Sequence, residues 1–171
     1  MDFIDNLNIG AKVAIGLVIA EKMFKIISMN EPGYETGRGA LDSCWKWLEG
    51  EKIDADNLCN YIDSEDYVDV AEFANKEDDI KKQYAWYSVL DAVSYTTYQA
   101  YKKEKRKFVP QVIEMIDDET LRILGENAME SGYFKMESLN DIKNYLLENY
   151  SLRDNVETFE SIKRSSLPIN Q

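Results

Sequence analysis

Between Asp79 and Lys107 neither proline nor glycine interrupts the chain. Ile80, Tyr84, Tyr87, Asp91, Ser94, Tyr98 and Tyr101 recur there at three- and four-residue steps, and Trp86, Leu90, Val93 and Ala100 mark a second side. A segment apolar over so wide an arc predicts a helix enclosed by neighbours on more than one side. No alternating apolar and polar run bounded by hairpin turns occurs, and 8 glycines and 3 prolines supply few turns for a sheet. The expected fold is all-α: a compact bundle of about seven to eight helices around a long central helix at 79–107. It is expected to form a single domain over 1–165, with a flexible tail at 166–171.

The remaining helices follow from the same period. Val13, Leu17, Ala20, Phe24 and Ile27 predict a first helix from about Asn8 to Ile27. Pro32-Gly33 breaks it, and a second helix is expected from after Thr36 or Gly37 to Gly50, with Leu41, Cys44, Trp45 and Leu48 inward. Asp54 or Asp56 suits the N-cap of a short third helix burying Leu58, Cys59 and Ile62. A fourth is expected after Ser64, with Tyr67, Val70, Ala71 and Ala74 at helical spacing and Tyr67 turned inward. Pro110 fits the first turn of a short helix carrying Val112, Ile113 and Ile116. Asp117 or Asp118 can cap the next, which buries Leu121, Leu124 and Ala128. Ser138 and Asp141 resemble a capping box for a last helix bearing Leu139, Ile142 and Leu146.

Charge narrows the functional classes. Thirty-two acids against 20 bases leave a formal charge of -12, which repels nucleic-acid phosphates and attracts basic protein surfaces. The chain has no histidine, which removes histidine-dependent triads, cysteine-histidine pairs and the usual zinc sites. Cys44 and Cys59 read as reduced core residues. The most apolar run, Val13 to Ala20, is far shorter than the ~20 residues of a membrane-spanning helix, and Asp2 and Asp5 stand where a secretory signal carries positive charge. A cytosolic protein without cofactor or metal, bound neither to nucleic acid nor to membrane, is expected. Its oligomeric state is open.

Individual motifs offer little catalysis. Gly33 to Gly39 is glycine-rich but lacks the Gly-Lys-Ser/Thr ending of a phosphate loop, and reads as a flexible entry to the second helix. Asp63 to Glu72 lacks the glycine of a calcium loop. Asp91, among Tyr84, Tyr87, Tyr95 and Tyr98, is either a general acid with a raised pKa or a carboxylate satisfied by tyrosine hydroxyls or a helix terminus. The basic run Lys102 to Lys107 complements the negative end of the long helix.

The acids are concentrated. From Glu49 to Asp79 there are twelve acids and two bases, Lys52 and Lys76, interleaved with Tyr61, Tyr67 and Phe73. Such a segment is either a surface for a basic partner, with charge steering approach and rings supplying contact area, or a solvated outer face. The candidate partner-binding residues are Asp54, Asp56, Tyr61, Asp63, Glu65, Asp66, Asp69 and Glu72. The set Asp63, Glu65, Asp66, Asp69 and Glu72 is expected to be largely solvated.

The order Ala14 to Ile27, then Gly39-Ala40-Leu41-Asp42-Ser43-Cys44-Trp45-Lys46-Trp47-Leu48-Glu49, then Leu58-Cys59-Asn60-Tyr61-Ile62-Asp63, then Ala85-Trp86-Tyr87-Ser88-Val89-Leu90-Asp91-Ala92-Val93-Ser94-Tyr95 with Tyr101 and Pro110-Gln111, resembles the sixth immunity-protein family of bacterial polymorphic toxin systems. The resemblance covers roughly 10–150. It implies an all-helical, non-catalytic protein encoded beside a toxin that it binds and neutralises. A basic nuclease toxin, an RNase before a DNase, fits the charge. A helical scaffold or adaptor, or a carboxylate-dependent enzyme, are the alternative readings.

Overall fold

The computed structural model describes residues 1–154 and 156–169. Seven α-helices follow in order: α1 (Ile9–Phe24), α2 (Tyr34–Leu48), α3 (Ala55–Cys59), α4 (Val70–Lys76), α5 (Ile80–Lys103), α6 (Asp118–Glu130) and α7 (Asn140–Asn149). Among the described residues there is no β-strand, and pairing of extended chain is confined to isolated bridges between Leu7 and Ser151 and between Arg153 and Val156. The all-helical expectation holds.

α5 is the axis, with α1, α2, α3, α4 and α6 all packed on it. Trp86 links two of them: its ring meets Phe24 of α1 edge-on with centroids 5.7 Å apart and stacks on Phe73 of α4 at 5.2 Å. α1 is enclosed more fully than its single apolar stripe suggests, since only Ile9, Glu21 and Lys22 are not buried. Its polar end is closed by chain from the C-terminal segment, where the Ile9 amide donates to the Thr158 carbonyl.

Several element boundaries differ from expectation. α2 begins at Tyr34, because Gly33 at φ 85° already completes the turn out of Pro32. Gly37 and Gly39 therefore lie inside a helix rather than in a flexible entry. Gly37 is a packing notch: a Cβ there would stand 2.7 Å from the Phe24 ring and 2.8 Å from the Trp86 ring. α4 begins only at Val70, since Asp69 caps it, and 64–69 is loop. α5 ends at Lys103, and Lys105 at φ 54° turns the chain, leaving only Lys102 and Lys103 in the last helical turn. Pro110 precedes a 3-10 turn, Gln111–Ile113, instead of opening a helix. Ser138 does not cap α7. It lies in a 3-10 turn, Met136–Leu139, that runs directly into the helix. Asp54 and Asp117 do cap α3 and α6.

After α7 the described chain crosses the bundle with a single 3-10 turn, Arg164–Ser166, as its helical structure. Ile162 is buried and its amide donates to the Leu48 carbonyl. Leu167 is buried and Ile169 packs against the core, while 170 and 171 lie outside the described residues.

Candidate functional site

The acid-rich segment from Glu49 to Asp79 surrounds α3 and α4, and the structure sorts its charges into two kinds. Asp54 and Asp56 are exposed but engaged. The Asp54 side chain accepts from the Asp56 amide at 2.9 Å. Asp56 receives the Tyr101 hydroxyl and the Arg106 guanidinium, and these partners hold its carboxyl below its ordinary range. Arg106 also reaches Asp54 at 3.5 Å and Glu104 at 3.0 Å. Arg106 thus ties the end of α5 to the start of α3, where the Ala55 amide donates to Glu104. Local charge at these two aspartates is largely answered from within.

Asp69 departs furthest from expectation. It is buried, not solvated, because both oxygens are committed: Oδ1 accepts from the Glu72 amide and Oδ2 from the Ser64 amide, each at 2.9 Å. It closes the 64–69 loop onto α4. Glu72 is half-exposed and pairs with Lys76 one turn later at 2.6 Å.

Asp63, Glu65 and Asp66 remain. All three are exposed, and none forms an ion pair among the described residues. Beside them Tyr67 and Val68 are 44% and 41% exposed, so Tyr67 faces outward rather than into the core. Its hydroxyl donates to the Asn60 carbonyl at 2.6 Å, holding the ring against α3 while its face stays open. An open cleft of about 510 Å³ adjoins this loop, lined by Ser43, Ile53, Asn57, Asn60, Tyr61 and Tyr67. Tyr61 is half-buried and within hydrogen-bonding distance of the Ser43 hydroxyl, at 3.2 Å. The arrangement is a negatively charged loop with open apolar surface beside a shallow depression, suited to protein contact.

On α5, positions 84, 87, 91 and 98 share one face, and Tyr84, Tyr87, Asp91 and Tyr98 are all half-buried. The tyrosines do not satisfy Asp91. Tyr84 gives its hydroxyl to Glu130 and Tyr95 gives its own to Asp118, both on α6. The Asp91 Oδ2 is buried without a hydrogen-bond partner. Burial pushes its carboxyl up to about 7.

Two charged groups escaped sequence reading. Lys12, on the apolar first helix, is buried and bridges Asp118 at 2.6 Å and Glu157 at 2.9 Å. Burial acts to lower its pKa, but the two carboxylates outweigh that and hold it above its ordinary value. Glu21 receives both Arg38 nitrogens at 2.8 and 2.6 Å, the Trp45 indole at 3.0 Å and Arg164 at 3.0 Å. A lysine and a glutamate interrupting an apolar period were the available signals, but their partners lie far along the chain. On the segment joining α5 to α6, Phe108 and Met115 are 80% and 87% exposed while Ile113 is buried.

No helix among the described residues is long and apolar enough to cross a membrane. Neither curated proteins nor solved structures give a match to the chain. The family model described as immunity protein Imm6 matches residues 11–131.

Proposed function

Because the chain belongs to the immunity protein Imm6 family, we propose that it binds a cognate bacterial toxin domain in the cytosol of the producing cell and neutralises it without catalysis of its own. The partner we favour is a basic nuclease, an RNase before a DNase, inhibited by covering its active site or the path of its substrate. The observation that carries the charge argument is the loop Asp63, Glu65, Asp66, Tyr67 and Val68, whose acids form no ion pair among the described residues and whose apolar side chains are open. A basic cleft built for phosphate attracts such a loop over distance, and Tyr61 and Tyr67 provide the contact area. Asp54, Asp56 and Glu72 extend the negative rim, and Asp69 serves by holding the loop in shape.

The test is kinetic. Asp63→Asn, Glu65→Gln and Asp66→Asn together should leave thermal unfolding within about 1 kcal/mol of the parent, since exposed charges contribute little to stability. Association with the toxin domain encoded beside the gene should slow by roughly tenfold at low salt, and the difference should shrink as salt rises. A folded variant with unchanged association rates at both salt concentrations would show that this loop is a solvated face.

A further inference from the structure

Two surface patches of opposite charge flank α3. The first is the 63–68 loop, with Asp63, Glu65 and Asp66 exposed and Tyr67 and Val68 open beside them. The second follows α5. Lys105 and Lys107 are exposed and form no ion pair among the described residues, whereas Arg106 between them is spent on Asp54, Asp56 and Glu104. Phe108 stands beside them, with the Lys107 ammonium 5.4 Å from its ring centre. Phe108 and Met115 are the two most exposed large apolar side chains among the described residues. An exposed ring by itself is ordinary on a protein surface. Here open rings accompany unpaired cations in one patch and unpaired acids in the other.

α3 sets the spacing of the two patches. Arg106 is tied to Asp54 and Asp56 at its start. At its end the Asp63 amide donates to the Cys59 carbonyl and the Tyr67 hydroxyl to the Asn60 carbonyl. From Asp54 to Asn60 the helix with its caps rises roughly 9 Å. The cleft lined by Ile53, Asn57, Asn60, Tyr61 and Tyr67 lies along it. In a two-fold interface each patch meets the other patch of the second molecule, and does so twice. An acidic patch and a basic patch side by side are therefore complementary to their own reversed copy. A strongly basic partner would meet repulsion at Lys105 and Lys107. We propose that a second copy of this chain docks about a two-fold axis beside α3. Lys105 and Lys107 of each copy lie against Asp63, Glu65 and Asp66 of the other, and each Phe108 enters the other's cleft. The formal charge of -12 does not prevent this, because at physiological salt the Debye length is ~8 Å and distant charges are screened while touching groups are not. A contact of this size belongs with small, transient interfaces, with Kd on the order of 10–100 µM. The loop is the one assigned above to the toxin, so a second copy and the toxin exclude each other there.

The experiment needs the full chain alone, so its result is independent of the toxin reading. Sedimentation equilibrium at physiological salt, over chain concentrations from about 10 µM to 1 mM, should show the mass rising from one chain to two and no further. Lys105→Glu with Lys107→Glu should be monomeric, and so should Asp63→Lys with Asp66→Lys, since each sets like charges against one another. An equimolar mixture of these two variants should restore the dimer, because every contact is then again between opposite charges. Phe108→Ala should weaken the parent dimer by roughly tenfold or more without changing thermal stability, as the ring is exposed in the free chain. A parent that stays monomeric at the highest concentration overturns the proposal, as does a mixture of folded variants that fails to pair. Assembly that continues past two chains means head-to-tail contact and overturns the two-fold arrangement. Should circular dichroism show that a charge-reversed variant does not fold, Phe108→Ala decides: a dimer of unchanged affinity places the interface elsewhere.

Discussion

Replacing Asp91 by asparagine should stabilise the free protein, and the gain should depend on pH in a definite direction. In the folded chain burial pushes the carboxyl from its ordinary 3.8 to about 7. At ~1.4 kcal/mol per pH unit, that difference corresponds to about 4 kcal/mol if fully expressed. Solvent reaching the half-buried side chain reduces the expected gain to about 2–4 kcal/mol. Between the unfolded and folded pKa values the native state holds a proton that the unfolded chain has released. Stability from this group therefore falls as pH rises through that window, and the whole penalty is present above it. Asparagine keeps the shape and never ionises. The variant should match the parent near pH 4 and exceed it by about 2–4 kcal/mol near pH 8, roughly 5–15 °C in Tm for a chain of this size. Urea unfolding followed by circular dichroism at both pH values measures the difference directly, and subtracting variant from parent cancels the other titrating groups. An asparagine variant no more stable than the parent near pH 8 would mean that Asp91 has a compensating partner, and the reasoning about its isolation would be wrong.

Other consequences are simpler. Lys12→Ala removes a buried stem and the cation shared by the partly exposed Asp118 and Glu157, and should cost about 1–3 kcal/mol in urea unfolding, whereas Lys12→Met, which keeps the stem, should cost less. Gly37→Ala places a Cβ 2.7 Å from the Phe24 ring and should lower stability by about 1–3 kcal/mol in thermal melts. Cys44 is fully buried, and burial pushes its thiol up to about 12, so native protein should resist thiol-reactive labelling at this position until denaturant is added, as read by mass spectrometry.

Periodicity along the chain was sufficient to specify an all-helical architecture around a long helix, because the 3.6-residue recurrence of apolar side chains is a local property of each segment. Caps were legible for the same reason: Asp54 and Asp117 bond amides two residues away. So was the accumulation of acid between Glu49 and Asp79, which is a matter of composition. Boundaries were read less well where one residue's backbone decides the outcome, as at Gly33 and Lys105, whose positive φ ends one element or admits another. What each acid does was decided only in three dimensions. Asp63 and Asp69 look alike in sequence, yet one is exposed and the other is buried under two amides, because the fold of the 64–69 loop turns it inward. Asp56 is answered by Arg106, fifty residues away, and Lys12 by carboxylates 106 and 145 residues away. Asp91 Oδ2 has no partner among the described residues, although Tyr84 and Tyr95 on the same helix both bond carboxylates of α6. Such pairings depend on which helices meet, and burial then sets the strength of each interaction. A local period carries neither piece of information.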